Sequence, residues 1–181
     1  VFSVSEIFFR KQMSQEPSIR ASAQPQPPVL SLEEFVKVFA ANGNYEADSV
    51  LSFIANIRDL PGVSVTIHPS EVRIRIQLPD GSSCPILVFG KSGTAGKPAA
   101  DIWVYPADIQ YKLGKAGIPL YKANAYLDFY KVFVNQDKCK NVPYTVPSSF
   151  YYGYVRRILG NTDAFMEAIE ELITSVSDSD E

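Results

Sequence analysis

Residues 63–89 read VSVTIHPSEVRIRIQLPDGSSCPILVF, and this stretch decides the fold. Val63, Val65 and Ile67 alternate with Ser64, Thr66 and His68, and Val72, Ile74 and Ile76 alternate with Arg73, Arg75 and Gln77. A period of two places successive side chains on opposite faces of a strand, so each run predicts a strand with one buried face. Pro79-Asp80-Gly81-Ser82 supplies turn chemistry between the second run and a third, Pro85 to Phe89, which is almost continuously apolar. A fourth strand is expected from Asp101 to Tyr105, after the loop KSGTAGKP. Short strands joined by tight turns predict a four-stranded antiparallel meander.

On either side of this block the period lengthens to that of a helix. Upstream, Ser31-Leu32-Glu33-Glu34 is a capping box: the Ser31 hydroxyl accepts from the Glu34 amide while the Glu34 carboxylate reaches back to the Ser31 amide. Phe35, Val38 and Phe39 are expected on one helical face, and Asn42-Gly43 is a stop signal. Val50, Leu51, Ile54 and Ile57 predict a second helix over 46–59, ended by Pro61-Gly62. Downstream, helices are expected over 119–134, over 148–159 and over 163–176. The last carries Phe165, Met166, Ile169, Leu172, Ile173 and Val176 in one stripe, with Asn161 as its candidate N-cap. Helices, then strands, then helices predict the α+β class, a meander packed with helices from both flanks.

The expected organisation has three parts. Residues 1–30 form an arm that is apolar at Phe2, Val4, Ile7, Phe8 and Phe9 and proline-rich in ASAQPQPPV. Residues 31–176 form a single domain, and 177–181 an acidic tail expected to be disordered. The exposed phenylalanines of the arm would be an aggregation liability, so the arm is expected to dock on this domain, on a second copy or on a further domain. The chain opens on Val1 rather than Met, which reads as a processed chain or a piece of a larger one.

No apolar run approaches the roughly 20 residues of a membrane helix, and the first residues lack the basic start and small-residue cleavage site of a signal peptide. The two cysteines, Cys84 and Cys139, are too few for a disulfide scaffold; a reducing, cytoplasmic setting is expected, with Cys84 half-buried on a strand and Cys139 in a loop. Net charge is −3 but unevenly spread. Residues 111–160 hold eight Lys/Arg against two Asp/Glu, and residues 161–181 hold seven acids and no base. Such asymmetry bears on partners rather than on fold.

Several catalytic classes fail on particular residues. A P-loop needs four residues between its glycines and a hydroxyl residue after Gly-Lys, but Gly90 and Gly96 are one residue too far apart and Pro98 follows Lys97. His68 is the single histidine, and Gly-x-Ser-x-Gly is absent. Neither cysteine has a local sequence that argues for a Cys–His nucleophile pair. The two cysteines lie far apart in the chain, which disfavours a zinc site, and no dinucleotide fingerprint or spaced carboxylate pair is present. A divergent magnesium nuclease has partial matches. In one, Asp80 precedes Phe89-Gly90-Lys91, where Phe89 stands in the place of a carboxylate. In the other, Asp101 joins Gln110 and Lys112. No catalytic, cofactor or metal residues are assigned, and no cofactor is expected.

Two binding surfaces are expected. Arg73 and Arg75, with Thr66, His68 and Gln77, should share the strand face opposite the core, and Trp103 and Tyr105 are placed to join it. Arginines beside aromatics suit single-stranded nucleic acid, while the alternative is a solvated or helix-covered face. The second surface is the Tyr- and Lys-rich half, with Lys112, Lys115, Lys122, Arg156 and Arg157 among its cations and eight tyrosines from Tyr111 to Tyr154. Tyrosines at helical spacing also suit a core. The leading expectation is a non-catalytic interaction domain, binding protein or itself through the arm; nucleic-acid binding comes second and the nuclease third.

Overall fold

The computed structural model describes residues 31–94, 97–134 and 151–177. The arm and its apolar residues, Cys139, Lys138, Lys140 and the tail 178–181 lie outside the described residues. The order of elements is α1 (Leu32–Gly43), α2 (Ala47–Arg58), β1 (Val63–Ile67), β2 (Glu71–Gln77), β3 (Ser83–Thr94), β4 (Lys97–Val104), α3 (Pro106–Lys115), α4 (Leu120–Val134), β5 (Tyr151–Gly153), α5 (Val155–Leu159) and α6 (Thr162–Ser177). This is an α+β architecture.

The sheet is an antiparallel meander in the order β1-β2-β3-β4-β5. Among the described residues it has five strands rather than the four expected. The fifth is short and pairs Tyr151, Tyr152 and Gly153 with Val104, Trp103 and Ile102. The helix expected over 148–159 is therefore replaced where it is described: residues 151–153 are strand and only Val155–Leu159 is helical. Tyrosine is a good strand residue, and an open sheet edge at β4 offers ladder hydrogen bonds that outweigh the local helical pattern. The expected loop KSGTAGKP is also corrected, since β3 continues to Thr94 and β4 starts at Lys97. Helix α3 had no stripe long enough to announce it. Pro106 ends the strand and sits at the first helical position, where its missing N–H costs nothing.

The helix starts and turns follow local chemistry. The Ser31–Glu34 capping box is formed, at 3.1 Å and 2.8 Å. Helix α1 buries Phe35, Val36, Phe39 and Ala40, so Val36 takes the place on the core face expected for Val38, which is 60% exposed. In the β2–β3 turn, Asp80 Oδ1 accepts from the Ser82 amide at 2.9 Å and Gly81 takes a φ of +79°. The Ser82 hydroxyl and amide together hold the Asp80 carboxyl below its usual range.

A single apolar cluster joins all six described helices to one sheet face. Val72, Ile74, Ile76, Cys84, Leu87, Phe89, Ile102 and Val104 come from the strands. Cys84 is fully buried rather than half-buried, and burial pushes its thiol up to about 12. Phe165 is the aromatic hub, with ring centroids 5.9–6.5 Å from Phe53, Tyr126, Phe129 and Tyr130. A β-bulge between Ile74 and Arg75 passes over Ile86, and the Ile86 carbonyl accepts from the buried Tyr126 hydroxyl at 2.7 Å. The residue that leaves the ladder thus pins α4 to the sheet.

Candidate functional site

The register aligns Thr66, Arg73, Val88, Trp103 and Tyr152 in one cross-strand row. This row lies on the face opposite the clustered core, because its members alternate with Ile67, Val72, Phe89 and Ile102. Val88 is fully buried yet stands outside that cluster, flanked in its row by Arg73 and Trp103. Arg73, Arg75 and Trp103 therefore share one sheet face, as their alternation predicted. Their polar groups are engaged within the face. Arg73 Nε donates to Glu71 Oε1 at 2.6 Å, and Arg75 Nε donates to Ser83 Oγ at 3.0 Å. Trp103 Nε1 donates to the Tyr105 hydroxyl at 2.8 Å, and the Trp103 and Tyr152 rings lie 6.3 Å apart. The indole lies over Gly90, where a Cβ would come within 2.6 Å of it. Glycine at 90 is what allows this approach.

The second expected group divides. Lys112 and Lys115 are on α3, Lys122 is on α4, and Arg156 and Arg157 are on α5. Lys112 ion-pairs with Asp108 at 3.3 Å and donates to the Ser83 carbonyl at 3.4 Å. Lys115 is exposed; Lys122 lies over the Tyr121 ring and Arg156 over the Tyr154 ring. The proposed nuclease trio does not converge. Gln110 donates to Asn124 at 2.8 Å, Lys112 is held by Asp108, and Asp101 is buried among other partners. Among the described residues, no group of three or more His, Cys, Asp or Glu is placed to hold a metal ion.

Helices α3 and α4 form a hairpin, tied by the Gln110–Asn124 bond. Its outer surface carries Tyr111 at 68% exposure, Leu120 at 54% and Tyr121 at 67%. Tyr121 also stands at the lip of a groove of about 610 Å³ between α4 and α6. Lys122 and Phe129 continue one wall of that groove; Glu167, Glu170 and Glu171 line the other. All three glutamates are exposed.

Sequence reasoning missed the role of Asp101. This residue is 8% exposed. It accepts from the Tyr45 hydroxyl, and from the Val155 amide at 2.6 Å. It therefore joins β4 to the segment entering α2 and to the first turn of α5. Burial pushes its carboxyl up to about 6, against the lowering effects of the Tyr45 and Val155 donors and the Arg156 guanidinium. Burial, the Asp101 hydrogen bond and the Asp101 charge all raise the Tyr45 hydroxyl above its ordinary value. A cavity of about 270 Å³ adjoins the pair, lined also by Phe39, Gly90, Tyr154 and Arg156. No signal in the sequence marked this set, because its partners are 56 and 54 residues away.

No protein-family model, curated protein or solved structure matches the chain. No helix among the described residues is long and apolar enough to cross a membrane.

Proposed function

We propose that this chain is a non-catalytic interaction domain whose partner is a protein or a second copy of itself, met by the α3–α4 hairpin. The observation that carries the reading is the exposure of Tyr111, Leu120 and Tyr121 on one hairpin, while most large apolar residues described lie in the core. Aromatic side chains bring large contact area at small entropic cost, and tyrosine is enriched where interfaces form. Lys115 and Lys122 beside them supply a polar rim. Sedimentation of the full chain across a concentration series, for the wild type and for Tyr111→Ser with Leu120→Ser, tests self-association. The expected result is reversible association weakened about tenfold or more in the variant, which is about 1.4 kcal/mol or more. A wild type that stays monomeric, or an association indifferent to both changes, refutes self-association through this surface.

A second reading, single-stranded nucleic-acid binding, rests on the Arg73–Val88–Trp103–Tyr152 row on the face opposite the core. Aromatic stacking with cationic phosphate contacts is the chemistry such binding uses. The carboxylate of Glu71, already paired with Arg73, weakens it. Titration of labelled single-stranded DNA and RNA at low and high salt is the test. Binding should fall with salt and with Arg73→Ala. No binding at low salt ends the reading.

A further inference from the structure

Resting on the interaction-domain reading, the geometry points to an occupant for the groove between α4 and α6: the chain's own N-terminal segment. Phe8 and Phe9 enter the groove, and Arg10 and Lys11 meet the glutamates of α6.

Three observations carry this. The first is shape. The groove holds about 610 Å³ with Phe129 and Leu172 in its lining. That is within the range of about 300–1000 Å³ typical of sites that enclose bulky apolar groups. The second is charge. Glu167, Glu170 and Glu171 face the groove against Lys122, the single cation lining it among the described residues, and α6 contains no Lys or Arg at all. The segment Phe8-Phe9-Arg10-Lys11 sets two aromatics directly before two cations. An apolar body with a cationic end matches a groove with an apolar floor and an acidic wall. The third is reach. Twenty-two peptide units link Phe9 to Ser31, where the domain starts. At roughly 3.1–3.6 Å each they span about 70 Å or more. A domain of this size has a radius of gyration of roughly 15 Å, so any point on its surface is accessible to the segment. Tethering also makes the docking intramolecular, at high effective concentration.

The seat includes the Tyr121 lip but neither Tyr111 nor Leu120, so it leaves most of the hairpin surface for a second molecule. The segment and the external partner therefore meet at Tyr121.

The test uses the full chain with Phe8→p-benzoylphenylalanine, irradiated as an equal mixture of isotopically heavy and light chains and mapped by mass spectrometry. The expected result is cross-links within one chain, to residues of α4 or α6. Glu167→Lys with Glu170→Lys and Glu171→Lys should abolish them, and adding Arg10→Glu with Lys11→Glu should restore them. The three glutamates are exposed, and circular dichroism checks that each variant is folded. Cross-links between heavy and light chains assign the groove to a second copy and overturn the proposal. Cross-links to any other element, their absence, or a yield indifferent to charge reversal overturn it equally. Failure here leaves the hairpin reading standing if Tyr111→Ser with Leu120→Ser still weakens association. Loss of that effect alone sinks the hairpin reading and not this one.

Discussion

Replacing Asp101 by asparagine isolates the cost of burying one carboxylate. Two effects oppose each other at this residue. Hydrogen bonds from Tyr45 and Val155 and the charge of Arg156 favour the ionised form, while loss of water disfavours it. Desolvation wins, and the carboxyl moves from 3.8 to about 6. A shift of roughly two units at about 1.4 kcal/mol each is a differential of about 3 kcal/mol. The folded state holds the proton more tightly than the unfolded chain. The stabilising contribution of this group is therefore complete below pH 3.8, and it is lost as pH rises through about 6. Asparagine keeps an oxygen for the Val155 amide and cannot ionise. Urea unfolding of both proteins from pH 3.5 to pH 8, subtracted at each pH, removes the titration that the two share. The stability of Asp101→Asn relative to wild type should rise by about 3 kcal/mol between pH 3.8 and 6 and stay level above, with m-values unchanged. A difference that is flat with pH refutes the raised pKa. A difference that falls shows that the donors outweigh desolvation.

Three further outcomes follow from packing and local chemistry. Phe165→Ala empties the centre of an aromatic cluster and should cost about 3–5 kcal/mol in urea unfolding. A loss under about 1 kcal/mol would show that Phe165 is not packed as described. Gly90→Ala drives a Cβ against Trp103 and to 3.1 Å from the Ser70 carbonyl, at a cost of about 1–3 kcal/mol. Because Trp103 is the sole tryptophan, its emission should shift with the substitution; an unchanged spectrum and stability would contradict the close approach. Ser31→Ala breaks the capping box and should cost about 1 kcal/mol, read as a lower urea midpoint, while Ser31→Asp should largely restore it. A neutral Ser31→Ala would mean that the box contributes nothing to α1.

The sequence by itself determined whatever depends on neighbours close along the chain. The period-two runs specified β1 and β2 and set Arg73 and Arg75 on the face away from the core. The capping box started α1, and the apolar stripe of residues 163–176 placed α6 within a residue at either end. The tertiary structure decided what depends on partners far along the chain. Tyr151–Gly153 became strand because β4 left an unpaired edge, overriding a local helical pattern. The described cations Lys112, Lys115, Lys122, Lys131, Arg156 and Arg157 were divided among α3, α4 and α5 because helices that bury apolar stripes point their charges in different directions. Asp101 read as a candidate acid beside Gln110 and Lys112; Tyr45 and Val155, brought to it by the fold, made it a buried junction of three segments instead. The outward Tyr111, Leu120 and Tyr121 were equally unreadable. Tyrosine at helical spacing serves a core as well as a surface, and only the direction in which the α3–α4 hairpin packs separates the two.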